Sequence, residues 1–270
     1  NNTERKFANM EEMPPAAYDL VDYGLIEQFI IQTSRGCPKA CSYCPYFVSQ
    51  GHKFRSMSPK RALLEFQNVI KYDANYLCVH DPIFTLDKKR LLAICDLLQA
   101  EAFNIPWSFE SHMKHIVPED LDALYRAGNR KMAFGVESAS DEVLGLANRR
   151  YKDMEQIKEN ILKCQELGIK TNGYFIIGLP GDSINGTLKT IKLALYLDSD
   201  LAQFNLPLAY PGTSTYHTAS ELGRLPLELR AKDPDAFFKA LGDRIILTNN
   251  YNSKQAEYLF RIANHSVLMR

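Results

Sequence analysis

The chain has 270 residues, 46% apolar and 11% aromatic, with 32 lysines plus arginines against 32 aspartates plus glutamates. That is enough apolar material for one sizeable core in a single α/β domain, and a balanced charge argues against general attraction to nucleic acid or membrane surfaces. No apolar run approaches the roughly 20 residues of a membrane span, and the first residues do not read as a signal peptide or Arg-rich transit segment.

Residues 1–26 carry no periodic pattern, and Met13–Leu20 reads as a lead-in or linker. The chain opens on Asn1 rather than methionine, so the expectation is an internal cut of something longer. From residue 27 strand-like and helix-like stretches alternate. Strands are expected at Glu27–Thr33, Tyr76–Val79, Pro106–Glu110, Lys131–Val136, Lys170–Ile177 and Leu201–Leu206. Between them the apolar spacing predicts helices over Pro59–Tyr72, with Leu63, Phe66 and Ile70 on one face, and over Asp87–Ala102. Further helices are expected from Pro118, over Asp141–Ala147 and Met154–Leu167, and over Asn185–Leu197. Such βα alternation implies a parallel sheet with helices outside, curled by right-handed crossovers but two strands short of an eight-stranded barrel. The expected fold is therefore α/β, a partial (β/α)6 TIM-like barrel over 27–212. Residues 213–270 are expected to form a helical extension that caps or docks, with Phe238, Leu241 and Ile245 on one stripe and Leu259, Ile262 and Ala263 on another.

Directly after the first strand comes Cys37-Pro38-Lys39-Ala40-Cys41-Ser42-Tyr43-Cys44. Three thiolates at this spacing can hold three irons of a cubane cluster and leave the fourth without a protein ligand, where four cysteines are the norm. The same loop with His52 could instead bind structural zinc as a Cys3His set, or its cysteines could pair in a secreted protein. Cys78, Cys95 and Cys164 fall at strand or helix core positions and read as small buried hydrophobes. Reduced thiols of this kind point to a cytosolic, oxygen-poor setting.

The other polar motifs cluster at strand ends, where parallel α/β sheets bind ligands. Asp81 lies in His80-Asp81-Pro82-Ile83-Phe84-Thr85 and offers a carboxylate to an ammonium through a charge-assisted bond; as an alternative, Asp81-Pro82 is a plain turn. Glu110-Ser111-His112 ends the third strand, with His112 as a substrate-side candidate. Glu137 and Ser138 end the fourth, where an acid beside small residues can meet hydroxyls or an ammonium; a helix-cap role is the alternative. Asn148-Arg149-Arg150 follows, and a guanidinium binds carboxylate bidentately. Gly178 and Gly181 let backbone approach a flat ring in Ile176–Gly181. Pro211-Gly212-Thr213 follows the sixth strand.

Taken in this register, residues 27–215 resemble the radical S-adenosylmethionine (SAM) superfamily. The resemblance implies a [4Fe-4S] cluster on Cys37, Cys41 and Cys44, SAM at the open iron, and an electron donor such as flavodoxin or ferredoxin. It implies reductive cleavage of SAM to a 5′-deoxyadenosyl radical that takes hydrogen from a small-molecule or peptide substrate. By the same resemblance Tyr43 lies near the adenine, Asp81 near the SAM amino group, Arg149 pairs with the SAM carboxylate, and Ile177, Gly178 and Leu179 receive the adenine. The lead-in Pro15–Asp22, Asp81–Thr85, Gly135–Ser138 and Pro211–Thr213 together look most like the cobalamin-binding branch, which implies cobalamin, an upstream domain to hold it, and methyl transfer to carbon. A methylthiotransferase or other cobalamin-independent radical SAM enzyme stays open, as does a non-enzymatic zinc module.

Overall fold

A computed structural model describes residues 7–22, 24, 28–149, 153–225 and 245–268. Strands run in chain order as β1 (Phe29–Ile31), β2 (Ser34–Arg35), β3 (Arg55–Ser56), β4 (Leu77–Val79), β5 (Trp107–Ser111), β6 (Asn129–Glu137), β7 (Lys170–Ile176) and β8 (Leu201–Asn205). β1-β4-β5-β6-β7-β8 form one six-stranded sheet, parallel throughout. The expected open (β/α)6 architecture is present. β2 and β3 make a small antiparallel pair that brackets the cysteine loop; two-residue strands leave too short a period to register in sequence.

The helices are α1 (Tyr46–Gln50), α2 (Pro59–Asn68), α3 (Lys88–Ala100), α4 (Pro118–Arg126), α5 (Asp141–Leu146), α6 (Met154–Leu167), α7 (Ile184–Leu197), α8 (Ser214–Glu221) and α9 (Ser253–Leu268). Ser58, Asp87, Ser140, Asp153 and Ser183 cap α2, α3, α5, α6 and α7, each side-chain oxygen accepting from a backbone N–H two or three residues into the helix. Those caps satisfy donors that the first turn leaves unpaired. Strand and helix faces meet in a core where Trp107, Phe66, Phe84 and Phe109 pack edge-on or tilted at 5.2–5.9 Å. Phe175 and Phe204 stack at 4.9 Å across β7 and β8.

Two local expectations change. Ile70 is 49% exposed, because α2 tightens into a 3-10 turn at Val69 and turns Val69 into the core instead. Cys95 and Cys164 are fully buried, but Cys78 is half-buried: Leu77 and Val79 face the helices, so the residue between them faces the concave side of the sheet. Glu27, Arg150, Phe238 and Leu241 lie outside the described residues. Beyond β8, the Ile245 and Leu247 amides bond the carbonyls of Pro207 and Gly178. α9 packs on β8 and α7, burying Ala256, Leu259 and Ala263 in the same core as the sheet. Among the described residues no helix is long and apolar enough to cross a membrane.

Candidate active site at the strand ends

The wall built from β1, β4 and β5 is tied from within. Asp81 is 2% exposed and accepts four bonds, from the Thr33 amide (2.6 Å) and hydroxyl (2.7 Å) and from the Ser34 amide (2.9 Å) and hydroxyl (2.7 Å). A carboxylate has about four acceptor sites, so this one is saturated. The expected acceptance of an ammonium by Asp81 is thus corrected: its lone pairs fasten the link from β1 into β2, three residues before Cys37. Arg90, buried on α3, completes the brace by donating to the Thr33 hydroxyl (2.7 Å) and carbonyl (3.1 Å) and to the Met57 carbonyl (2.7 Å). Phe84 fills the core beneath, and Thr85 bonds Ser111 of β5 at 2.7 Å. The Asp81–Thr85 motif therefore buckles three strand ends together.

The cysteine loop sits on that brace. Gly36 enters it at φ +82°, and an added Cβ would fall 2.1 Å from the Lys53 carbonyl oxygen, so the position requires glycine. The Cys37 amide bonds the Gly51 carbonyl, while Ser42 is held from two sides, its amide on the Ala147 carbonyl and its carbonyl on the Thr215 amide, all at 3.0 Å. Cys37, Cys41 and Cys44 are free thiols lining one cavity of about 210 Å³ with Lys39, Tyr43, Tyr46, Glu110, His112, Glu137, Arg149 and Tyr174. Burial pushes the Cys37 thiol up and the Cys44 thiol to about 11.

The opposite wall is strained and charged. β6 bulges between Gly135 and Glu137, and Glu137 takes φ +71°, a left-handed backbone costly for a residue with a Cβ. Its carboxylate folds back over Gly135, where an added Cβ would lie 1.9 Å from Oε1 and 2.8 Å from Arg149 Nη2. Glu137 is 5% exposed and pairs with Arg149 Nε at 3.3 Å. Burial raises its pKa, and the guanidinium pulls it part of the way back. The Tyr43 phenol lies beside Glu137, and burial holds it protonated. Arg149 also donates to the Gly135 carbonyl at 3.0 Å and to Cys41 Sγ at 3.7 Å. Asn148, at φ +52°, bonds the Ala40 carbonyl and draws this turn onto the cysteine loop.

The structure therefore gathers Cys37, Cys41, Cys44, Tyr43, Glu137 and Arg149 at one cavity, with Asp81 at its edge, and leaves four expected residues outside its lining. Ser138 is 1% exposed, faces Thr190 at 3.3 Å and accepts from the Ser140 amide, which makes it part of the turn into α5. Ile177 and Leu179 are fully buried, Leu179 in a small core with Val143 and Ala147 on which Tyr43 rests. The Gly178 amide bonds Asp182 and its carbonyl takes the Leu247 amide at 2.7 Å, so the chain's own C-terminal segment occupies the face expected to meet a ring. His112 lines the cavity and caps the turn Met113–His115, its Nδ1 accepting from the Lys114 amide; burial, with Arg149 and His115 nearby, pushes its pKa down to about 2. His52 is exposed and stacks on Phe47 at 5.0 Å, outside the cavity, which removes the fourth ligand of the zinc alternative.

Sequence reasoning passed over Arg90, whose helical position looks like surface, and two concave-face pairs: Tyr174 donating to Glu110 at 3.0 Å, and Tyr46 with His80 at 2.8 Å. The period-two placement of Glu110 and Tyr174 on strands was the signal available for the first.

The profile of the Radical SAM superfamily matches residues 31–194, more than half of the chain. An uncharacterized methyltransferase of Pyrococcus horikoshii is 29% identical over 218 residues, 78% of this chain and 47% of the relative. An anaerobic magnesium-protoporphyrin IX monomethyl ester cyclase of Rubrivivax gelatinosus is 25% identical over 193 residues, 70% of this chain and 34% of the relative. The chain thus spans less than half the length of either. A solved structure of the radical SAM methyltransferase TsrM from Kitasatospora setae, with tryptophan and a SAM analogue bound, superposes with a TM-score of 0.67 at 18% identity, over 73% of this chain and 40% of that one. The same protein with cobalamin and a [4Fe-4S] cluster bound gives 0.66. At this identity the likeness establishes the fold.

Proposed function

The chain belongs to the radical SAM superfamily, and on that premise we propose that its cavity holds a [4Fe-4S] cluster on Cys37, Cys41 and Cys44 with SAM beside it. The observation that carries this is the convergence of three free thiols, and no fourth cysteine, on the cavity that Glu137 and Arg149 also line. Soft thiolate donors suit iron–sulfur ligation, and the buried thiols release their protons as metal binds. When bound, the cluster supplies one electron and SAM the carbon–sulfur bond that it breaks.

The protein's part is binding, orientation and exclusion of water. The Asp81 brace and the two bonds at Ser42 fix the cysteines. Glu137 is proposed to meet SAM's hydroxyls or ammonium, Arg149 its carboxylate, and Tyr43 its adenine. The concave face, with Glu110, Tyr174, Tyr46 and Cys78, is left to a small-molecule or peptide substrate. An external one-electron donor such as a flavodoxin or ferredoxin, in a cytosolic, oxygen-poor setting, completes the requirement.

For the whole protein we propose methyl transfer to carbon with cobalamin, a reading supported by the methyltransferase names among its relatives. A radical enzyme with an outcome other than methyl transfer is the second reading, favoured by the cyclase relative. Anaerobic reconstitution followed by iron and sulfide counts is the test. About four irons per chain are expected, lost in Cys41→Ala, and SAM is expected to bind roughly ten- to a hundredfold more weakly to Glu137→Ala with its cluster intact. Stoichiometric zinc without sulfide, or a colourless wild-type protein, removes the assignment.

A further inference from the structure

Arg149 reaches two partners of opposite consequence. Its Nη1 donates to Cys41 Sγ at 3.7 Å, and its Nε pairs with Glu137 at 3.3 Å. The first contact is imposed by the surroundings. Nη2 is pinned at 3.0 Å by the Gly135 carbonyl. The turn bearing Arg149 is sewn to the cysteine loop by Asn148 on Ala40 and by the Ser42 amide on Ala147. A side chain at 135 would displace both charged groups. Cys41 itself is 5% exposed, so water does little to screen the guanidinium from its sulfur.

We infer that Arg149 is a positioning residue for electron entry: its guanidinium, donating to the Cys41 sulfur, raises the reduction potential of the cluster, and Glu137 limits how far. The inference rests on the proposed cluster on these cysteines. Net charge, hydrogen bonds to the sulfurs and solvent exposure set the potentials of iron–sulfur clusters. Each electron added makes the cluster more negative, so a cation fixed against one thiolate favours the reduced form. The Glu137 carboxylate, held against the same cation, opposes it. Removing the Arg149 charge or the Glu137 charge therefore shifts the potential in opposite directions, which no general loosening of the loop would do.

The experiment is an EPR-monitored titration of the reconstituted full chain with dithionite and mediators, without SAM. At the wild-type midpoint, Arg149→Gln is expected to lower the reduced-to-oxidised ratio about tenfold, about 59 mV for a one-electron couple. Arg149→Lys, which keeps the charge and loses the fork, is expected to fall less. Glu137→Gln is expected to shift the ratio the other way. Full iron with an unchanged potential in Arg149→Gln overturns the inference and leaves the cluster assignment standing. Should Arg149→Gln not hold iron, Glu137→Gln decides: a raised potential supports the inference and an unchanged one overturns it. Wild-type protein that binds no iron overturns both.

Discussion

Asp81, just after β4, and Glu137, at the end of β6, are both buried acids at carboxyl ends of strands, 2% and 5% exposed. Asp81 is surrounded by four donors, two of them backbone amides, with Arg90 one residue further out. Glu137 has one arginine, a phenol beside it and a left-handed backbone, and burial raises its pKa. A saturated carboxylate has nothing left to offer a ligand, whereas a strained and under-solvated one retains capacity for a new donor. The contrast separates the wall that holds the cysteines from the wall that meets what binds beside them.

The largest expected effect follows from breaking the saturated side. Asp81→Ala strands two amides and two hydroxyls, all buried, and takes from Arg90 the acid that most favours its charge. Unsatisfied buried groups cost about 1–3 kcal/mol each and are not additive, so a loss of at least about 3 kcal/mol in denaturant unfolding is expected, with iron uptake falling alongside. Asp81→Asn should be nearly as damaging, because its amide turns a donor toward donors. A loss below about 1 kcal/mol in both variants would dissolve the contrast.

Breaking the strained side should spare the fold and injure binding. In Gly135→Ala the new methyl overlaps Glu137 Oε1 and crowds Arg149 Nη2. Overpacking of this kind costs about 1–3 kcal/mol, and the displaced carboxylate is expected to weaken SAM roughly tenfold while iron content holds. Undiminished SAM affinity would mean that the Glu137–Arg149 pair is as structural as Asp81.

How much of this was visible beforehand differs between the same two walls. Alternating apolar runs gave the six strands and their order, since each strand buries one face against helices. The cysteine spacing carried the cluster hypothesis, because those three ligands are local in sequence. Asp81 looked like Glu137, an acid after a strand, because nothing in a linear sequence reports that Thr33 and Ser34, 48 and 47 residues earlier, fill its lone pairs. Gly178 looked like a ring platform for the same reason: the Leu247 amide that takes its carbonyl comes from the far end of the chain. Satisfaction of polar groups by distant partners is a tertiary property, whereas hydrophobic period is a local one.

The smallest effect sharpens the comparison at the cavity floor, where His112 adds a third kind of group, one kept neutral. Its pKa is pushed down to about 2 by burial first and then by Arg149, His115 and Lys39. The unfolded chain takes a proton there below the ordinary value of 6.5, and the folded chain refuses it until about 2. His112 thus stabilises the fold in full above pH 6.5, and that contribution is lost as pH falls through the window toward 2. His112→Asn keeps an acceptor for the Lys114 amide, since asparagine caps well, and removes the titration. Measured on iron-free protein, where no cluster charge intervenes, the wild type should lose about 1.4 kcal/mol per pH unit more than the variant below pH 6. His115, whose pKa burial also lowers, remains in both proteins and cancels from the difference. Parallel stability curves would mean that His112 is protonated in the folded state, and that a positive charge shares the cavity floor with Arg149.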